Sequence, residues 1–418
     1  MKKILFLVLL FSSQLYAQSS FEYRIDSIVS NAIAQRAFPG AQIYIQKKGE
    51  VLLHKAYGYH TYDSIHQTTL EDVFDLASVT KTMAATLALM KLYEEGKLDV
   101  DRPFSEYWPD WQKKKDKKNI SFRAVLAHQA GLIPYIVFLN KITKSKGKLK
   151  KRWVSKTQNN PYNKEAFKNL YIREDIEKII DRKARKSKLG ELKYRYSGLT
   201  FLLYPRMVGR LSNTNFEDYL NQNFYRPLEL KKIGFNPTSW IDPSHIVPTE
   251  YDSLFRKTLT KGWVHDENAA ILGGVSGNAG LFANTNSIAP LLEMLLNKGV
   301  YKGKQYLKDS TVEEFTRVQF PENDNRRGLG FDKPLIGNDT LSFEDSYPAP
   351  LASKNSYGHS GFTGTFYWVD PDQDLIYIFL SNRVYPSRSQ QGIYDLAVRK
   401  EILFEAFKFN NENAYSSH

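Results

Sequence analysis

The stretch FDLASVTKTMAATLALMKLYEEGKL (Phe74–Leu98) carries Ser78 and Lys81 near its start. An apolar, helix-forming run follows the serine at once, which predicts a helix whose first turn holds both residues. Side chains three residues apart on a helix lie on one face. The spacing therefore predicts a hydroxyl group beside an amine.

Two interpretations of this pair are open. Serine is among the best helix N-caps, because its hydroxyl accepts a backbone N–H of the first turn. A capping box would place Glu or Gln three residues later, however, and Lys81 stands there instead. A cation in the first turn also opposes the helix dipole, at a cost of about 0.3–1 kcal/mol when exposed. The second interpretation is a Ser-x-x-Lys catalytic pair, in which the lysine accepts the serine proton.

The composition is that of a globular protein. The chain has 418 residues, of which 42% are hydrophobic and 25% charged. These values exclude a disordered or fibrous protein, and the length suffices for one large domain or two medium ones. The sequence has neither an internal repeat nor a Gly/Ser-rich linker, which favours one domain at residues 18–418.

The first 17 residues, MKKILFLVLLFSSQLYA, have the pattern of a secretory signal peptide. Lys2 and Lys3 form a basic start, an apolar core runs from Ile4 to Phe11, and cleavage is expected after Ala17. The core is too short to cross a bilayer, which takes ~20 apolar residues. The chain contains no cysteine, so no disulfide, thiol nucleophile or lipid-bearing cysteine is available. We expect a periplasmic or secreted protein whose mature chain has no transmembrane segment.

The net charge of +13 is concentrated in short basic segments. They are Gln112–Lys118, Lys141–Lys156 and Asp181–Lys188. Export argues against nucleic acid as a partner, and aromatic residues are not interleaved with the basic ones. Solvated loops and helix faces are the ordinary explanation, and an anionic polymer of the cell envelope is the alternative.

Strand patterns occur near both ends of the chain. AQIYIQ, from residue 41, alternates apolar and polar residues and is followed by a KKGE turn and VLLHKAYGYH, which predicts a β-hairpin. Further strands are predicted at His359–Val369 and Leu375–Arg383, and amphipathic helices at Phe21–Arg36 and Gly392–Phe407. These patterns predict an α+β fold, in which terminal helices flank an antiparallel sheet built from both ends of the chain.

The middle of the chain has mostly helical periodicity. We predict a helical subdomain at roughly residues 99–285, inserted between the two parts of the sheet. Within it, a basic insertion at roughly residues 142–188 shows no clear strand pattern. An active site is expected between the sheet and the helical part, where clefts usually form.

Two further segments contain residues suited to acyl transfer. Tyr196, in KYRYSGLTFLL, precedes a helical run, where its phenol could face a cleft. The chain has 26 tyrosines, however, and most must be packing residues. In GHSGFTGT, His359 and Gly361 begin a predicted strand whose small residues let a substrate backbone approach. A glycine-rich edge with a chance histidine also explains that segment.

The order of these motifs resembles that of a known family. Ser-x-x-Lys comes first, Tyr-Ser follows before a helix, and His-Ser-Gly lies on a late strand. This order is similar to that of the class C serine β-lactamases, the DD-carboxypeptidases and related penicillin-binding-protein-like esterases. Three longer stretches match as well: FPGAQIYIQKKGEVLLHKAYGYH, SFRAVLAHQAGL and WVHDENAAILGGVSGNAGLFAN. The resemblance extends from about Phe38 to the closing helix and implies a serine β-lactamase/DD-peptidase-like fold.

The resemblance implies a catalytic role for four residues. Ser78 would be the nucleophile, Lys81 its base, and Tyr196 the proton relay to the leaving group. His359 occupies the place where many relatives have the lysine of Lys-Thr-Gly.

It also implies an oxyanion site and a substrate-binding strand. The backbone N–H groups of Ser78 and Phe362 would hold the oxyanion, with Ser360 and Gly361 beside the substrate. Loss of one oxyanion donor costs about 3–4 kcal/mol in enzymes, so the position of this strand matters as much as the side chains.

Two departures from the family pattern bear on the substrate. Gly198 stands where the Tyr-Ser-Asn motif has its amide, which argues against efficient β-lactam hydrolysis. Near pH 7, His359 would supply a weaker positive charge than lysine for holding a substrate carboxylate. The run His265–Glu267 does not predict a metal site, because adjacent side chains point in different directions, and no cofactor is expected.

Two hypotheses follow. The first is an exported serine hydrolase that forms an acyl-enzyme on a D-amino-acid peptide or a small ester, with a β-lactam as the less expected substrate. The second, suggested by Gly198 and the basic insertion, is a catalytically silent protein that binds cell-wall peptides or envelope polymer. The presence of the nucleophile and of both proton-transfer residues favours the enzyme.

Overall fold

The structure, a computed structural model, describes residues 19–144 and 147–409. The predicted signal peptide, residues 1–17, lies outside the described residues. A five-stranded antiparallel sheet, here the main sheet, contains strands from both ends of the chain, as predicted. In spatial order its strands are Tyr357–Ser360, Phe366–Asp370, Leu375–Ser381, Gly40–Lys47 and Glu50–Gly58.

The central strand of the main sheet, Leu375–Ser381, is buried along its whole length. Ile376 and Ile378 belong to the large core on one face, and Tyr377 and Phe379 to a second core on the other. Since side chains alternate between the faces of a strand, a run of mainly apolar and aromatic residues is what a sheet covered on both sides requires.

The second core is formed with helices from the two ends of the described chain. A helix covers residues 19–34, and the closing helix is divided into Gly392–Asp395 and Val398–Lys408. The prediction of one continuous closing helix is wrong at Ala397, which adopts a left-handed conformation with φ 47°. The buried Lys47 ammonium donates to the carbonyls of Ala406 and Phe407, 3.0 and 2.9 Å away, and so satisfies the end of this helix.

The region between the strands of the main sheet contains ten α-helices among the described residues. They are Leu87–Glu94, Phe104–Tyr107, Phe122–Leu126, Leu139–Ile142, Ile176–Lys186, Tyr204–Ser212, Phe216–Leu220, Glu267–Ile271, Thr285–Leu296 and Asp309–Thr316. The longest, Thr285–Leu296, packs against the central strand of the main sheet. Among the described residues, no helix has the length and apolarity needed to cross a membrane.

Short antiparallel strands also occur in this region. One small sheet contains Phe74–Asp75, Leu281–Ala283 and Ile233–Phe235, and strand pairs form at Tyr251–Asp252 with Thr258–Leu259 and at Val300–Tyr301 with Lys304–Gln305. The first of these sheets joins the segment before Ser78 to the loop after Gly277. The limits of the helical subdomain, roughly residues 99–285, stay a prediction.

The basic insertion contains strands that the sequence pattern did not indicate. Val154–Ser155, Leu170–Arg173 and Tyr162–Phe167 form a three-stranded antiparallel sheet, followed by the helix Ile176–Lys186. The strands are short, and in Tyr162–Phe167 only Ala166 is buried, so the polar residues conceal the alternation. The expectation of an insertion without strands is therefore wrong.

The predicted strand His359–Val369 is two strands. Tyr357–Ser360 and Phe366–Asp370 pair in antiparallel register and are joined by a tight connection at residues 361–365. Gly364 has φ 109°, a conformation that favours glycine. This turn lies against the segment that carries Ser78.

Candidate active site

Ser78 lies in a short irregular segment and not at the start of an α-helix. It belongs to a 3-10 turn, Ala77–Val79, which is followed by a π-helix, Lys81–Thr86, and only then by the α-helix from Leu87. The prediction of a regular helix directly after the serine is wrong in this detail. Ser78 is not an N-cap, because it lies inside the 3-10 turn, and Leu76 and Thr80 hold the N-cap positions of that turn and of the π-helix. Single π-turns within helices often occur at functional sites.

The backbone just before Ser78 is strained and locally supported. Ala77 has φ 45°, which is rare for a residue with a side chain. The buried carboxylate of Asp75 accepts the N–H of Ala77 at 2.8 Å and the N–H of His265 at 2.6 Å. Burial raises the pKa of Asp75, in spite of these two hydrogen bonds. Together these contacts hold the turn that exposes Ser78.

The amine of Lys81 is placed against the hydroxyl of Ser78, as the spacing predicts. Lys81 is buried, and its Nζ donates to Ser78 Oγ at 3.0 Å and to the carbonyl of Asn278 at 2.9 Å. Sequence reasoning missed Asn278, because it comes from a distant loop and contributes only a backbone atom. Two acceptors thus fix the amine that appeared misplaced in the first turn of a helix.

Tyr196 lies beside this pair. The centroid of its ring is 5.5 Å from Lys81 Nζ and 6.2 Å from the centroid of the His359 ring. Gly198 is also adjacent, since a Cβ atom added there would lie 3.8 Å from Lys81 Cε. An asparagine at this position would lie against the lysine, and the glycine leaves that space open.

His128 supports Tyr196 from behind, although it was not predicted as a site residue. Its ring packs on Tyr196 with centroids 4.6 Å apart, and its Nδ1 accepts the backbone N–H of Ser197 at 3.2 Å. Burial, together with nearby cations, holds the pKa of His128 well below its usual value, so the ring stays a neutral acceptor. The only sequence signal was its presence in the stretch SFRAVLAHQAGL.

His359 is buried and uncharged. Its Nδ1 donates to the carbonyl of Ser360 at 2.8 Å, and its buried Nε2 has no hydrogen-bond partner among the described residues. Burial, with Arg327 and Lys81 nearby, lowers the pKa of His359 to about 3. The expectation that it supplies a weak positive charge near pH 7 is therefore wrong, because a neutral imidazole costs less to bury than an imidazolium.

The turn after His359 is locked against the nucleophile segment. Thr365 Oγ1 donates to the carbonyl of Leu76 at 2.9 Å, and Thr363 Oγ1 donates to that of Asp75 at 2.7 Å. Gly361 permits this approach, because a Cβ atom there would lie 2.5 Å from the carbonyl oxygen of Leu76. The two threonine hydroxyls and the absence of a side chain at Gly361 thus set the distance between this turn and the segment before Ser78.

Phe362, the second expected oxyanion donor, lines the same cleft as Ser78. Its ring is 47% exposed, while its carbonyl accepts Arg383 Nε at 2.8 Å and its ring lies 4.5 Å from that guanidinium. Arg383 is buried beneath the turn. It therefore fixes the peptide group between Phe362 and Thr363, which directly follows the Phe362 N–H.

The cleft has a volume of about 200 Å³ and is open to solvent. Besides Ser78 and Phe362, its lining includes Tyr135, Asp266, Glu267 and Arg388. The last four were not predicted as site residues, because they come from three separate segments of the chain and their convergence depends on the tertiary fold.

Three carboxylates near the cleft have oxygens within 4.8 Å of one another, those of Glu250, Asp252 and Glu267. Each is paired with a cation. Arg388 binds Glu267 at 2.8 Å and also pairs with Glu250, and Arg256 binds Asp252 at 3.0 Å. These contacts fit structural ion pairs, so the cluster does not indicate a metal site.

Comparison with known proteins gives matches over most of the chain. The β-lactamase family model matches residues 25–400. A Bacillus subtilis (strain 168) protein named N-acetylmuramyl-L-alanine amidase is 31% identical over 386 residues, covering 86% of this chain and 80% of that protein. A Salmonella agona (strain SL483) protein named D-alanyl-D-alanine carboxypeptidase is also 31% identical, covering 86% and 82%.

A solved structure supports the fold. EstCE1, described as a hydrolase with promiscuous acyltransferase activity, has a TM-score of 0.65 and 18% identity, over 93% of this chain and 99% of that chain. The family resemblance and the α+β fold predicted from the sequence are confirmed.

Proposed function

Because the chain belongs to the β-lactamase family of serine hydrolases, we propose that it forms an acyl-enzyme at Ser78 and releases the acyl group to water. The observation that carries this proposal is the 3.0 Å contact between Lys81 Nζ and Ser78 Oγ, made by a buried amine. A nucleophile within hydrogen-bond reach of its base is the arrangement that covalent catalysis requires.

The acylation step uses the residues around this contact. Lys81, in its unprotonated form, accepts the proton of Ser78 while Oγ attacks the substrate carbonyl carbon. The N–H groups of Ser78 and Phe362 hold the resulting oxyanion. Tyr196, next to Lys81, passes the proton to the leaving group as the bond to it breaks. Water then attacks the acyl-enzyme and restores the Ser78 hydroxyl.

His359 has a positional role in this proposal. Its neutral ring ties Nδ1–H to the Ser360 carbonyl and packs near Tyr196. The strand end with Ser360 and Gly361 then lies beside the substrate. His359 therefore shapes the site, without binding a carboxylate through charge.

The substrate class proposed is a D-amino-acid peptide or a small ester. The name of the Salmonella agona relative supports the peptide, and the small ester is the alternative substrate of the same acyl transfer. Gly198 leaves no amide beside Lys81, so β-lactam hydrolysis is proposed to be slow. We propose action in the periplasm or outside the cell, after removal of residues 1–17, with an anionic envelope polymer as the partner of the basic segments.

Covalent labelling tests this function. The protein is incubated with a fluorophosphonate and, separately, with a fluorescent penicillin, and then weighed intact. We expect one adduct per chain on the wild type and none on Ser78→Ala. An unlabelled wild type, or a label that survives Ser78→Ala, would contradict the proposal. Binding to isolated peptidoglycan without turnover of p-nitrophenyl esters would favour the silent binding protein instead.

A further inference from the structure

Arg388, which lines the Ser78 cleft, already binds two carboxylates. Arg388 Nη2 donates to Glu267 Oε1 at 2.8 Å, and its Nε lies 3.0 Å from each carboxylate oxygen of Glu250. Glu250 also accepts the backbone N–H of Arg388 at 3.1 Å. A substrate carboxylate would have to displace one of these two partners to reach the guanidinium.

Other basic side chains near the cleft also have partners or are neutral. Lys81 is buried against Ser78 Oγ and the Asn278 carbonyl. Arg383 lies beneath Phe362, where it donates to backbone carbonyls. His359 takes the place of the lysine that the family motif would supply, and it is buried and neutral. Within the described part of the chain, the cleft lining offers no cation that lacks an acidic or carbonyl partner.

Negative groups outnumber positive ones at the cleft. Asp266 and Glu267 line it together with Arg388, and Glu250 lies directly behind that arginine. His265 also lines the cleft, with its Nε2 3.1 Å from Glu250 Oε1, and adds a positive charge only when protonated. A substrate carboxylate placed here loses its water and meets like charge, which is unfavourable without a free partner.

The walls of the cleft are aromatic. The side chains of Tyr135 and Phe362 both line it and remain 44% and 47% exposed. The Phe362 ring lies against the His265 ring, with centroids 5.6 Å apart, so its position is fixed. Exposed aromatic faces at the edge of a cleft favour an uncharged group over a carboxylate.

From these charges and contacts we infer that the Ser78 cleft selects against substrates with a free carboxylate next to the scissile bond. It accepts neutral or cationic esters and amides, and Glu267 is a specificity-determining residue because it keeps Arg388 occupied. This inference rests on the proposed acyl-enzyme at Ser78. It favours an ester or a blocked peptide over the free carboxyl terminus that a carboxypeptidase must bind.

A matched pair of substrates tests the inference. N-acetyl-D-alanyl-D-lactate and its carboxamide have the same acyl group and differ in the charge of the leaving group. We expect kcat/KM of the wild type to be at least about tenfold higher for the carboxamide, because repulsion and desolvation act on the carboxylate alone. Equal values, or a preference for the free carboxylate, would overturn the inference.

A variant assigns the effect to Glu267. Glu267→Gln removes one negative charge and loosens Arg388, so the preference for the neutral substrate should fall at least about threefold, through KM more than kcat. Glu322→Gln, at an exposed glutamate, is the matched control and should keep the wild-type ratio. An unchanged ratio in a folded Glu267→Gln protein would contradict the role of Glu267. If that variant does not fold, the wild-type ratio still decides the inference.

The two proposals fail in different ways. Loss of Ser78-dependent labelling would remove the acyl-enzyme itself. Ser78-dependent labelling together with a preference for the free carboxylate would leave the acyl-enzyme in place and overturn only the charge selection.

Discussion

At the scale of single residues, hydrogen-bond partners distinguish the two buried nitrogen groups of the site. Lys81 and His359 are both buried next to Tyr196, yet only the lysine has two oxygen acceptors for its amine. The histidine has one carbonyl partner and a neighbouring guanidinium, Arg327, that disfavours the imidazolium. The site thus holds a hydrogen-bonded amine and a neutral ring a few ångströms apart.

The neutral His359 makes the fold sensitive to acid. Its pKa is about 3 in the folded chain, against about 6.5 for an ordinary histidine. Between these values the unfolded chain binds a proton that the folded chain does not, so the free energy of unfolding decreases as the pH falls. We expect the free energy of unfolding, measured with urea, to decrease less between pH 7 and pH 5 for His359→Asn than for the wild type. His66→Asn, at an exposed histidine, should retain the wild-type loss.

Gly361 is a second position where one atom matters. An added Cβ would lie 2.1 Å from Thr365 Oγ1 and 2.5 Å from the Leu76 carbonyl oxygen. Gly361→Ala should therefore lower the free energy of unfolding by about 1–3 kcal/mol and reduce Ser78 labelling. Gly209→Ala is the control, because its Cβ would meet nothing closer than 3.7 Å, and it should not reduce stability. Normal labelling of a stable Gly361→Ala protein would contradict this account of the turn.

At the scale of elements, the site depends on two supports for one irregular segment. The Asp75 carboxylate holds the turn from within, and the turn at residues 361–365 holds it from the side through Thr363 and Thr365. The Ser78–Lys81 contact could be predicted from sequence, because spacing alone brings residues three apart together on any helical path. The π-helix and the left-handed Ala77 could not, since long-range contacts impose them on a sequence with ordinary helical periodicity.

Removing the inner support should move Ser78. Asp75→Ala leaves the buried N–H groups of Ala77 and His265 without their acceptor, which costs about 1–3 kcal/mol for each. We expect a lower midpoint in thermal unfolding and at least about tenfold slower labelling at Ser78. Asp75→Asn keeps one acceptor oxygen. Its thermal midpoint and its labelling rate at Ser78 should therefore lie between those of Asp75→Ala and the wild type. If Asp75→Ala labels at the wild-type rate, the turn does not need this carboxylate.

At the scale of the whole molecule, charge is divided between two regions. The cleft is lined by more acidic than basic groups, while the net charge of +13 comes from segments elsewhere. Composition and segment positions could be read from sequence, as could the sheet built from both chain ends. The pairing of Arg388 with Glu250 and Glu267 could not, because the three residues are far apart in the chain. That pairing is the reason to expect a substrate without a free carboxylate, which the sequence motifs alone do not indicate.

The basic segments should act independently of the cleft. Lys183 and Lys186 are exposed on the helix Ile176–Lys186, and the contact of Arg185 with Asp110 places its end beside the loop Gln112–Lys118. Charge reversal of both lysines to glutamate should weaken retention on immobilised lipoteichoic acid, most clearly at low salt. Hydrolysis of a small ester should not change.

A charge-matched control separates a local surface from net charge. Lys302 and Lys304 are exposed on a different hairpin, and their reversal changes the total charge by the same amount. Equal loss of retention for the two double variants would show that net charge alone attracts the polymer, and would contradict a binding surface in the insertion.

The central claim is a covalent bond at Ser78, and mapping the fluorophosphonate label by tandem mass spectrometry tests it most directly. We predict that the label lies on Ser78 itself, within the tryptic peptide that ends at Lys81. A label on any other residue, or a wild-type protein that takes up none, would contradict the account.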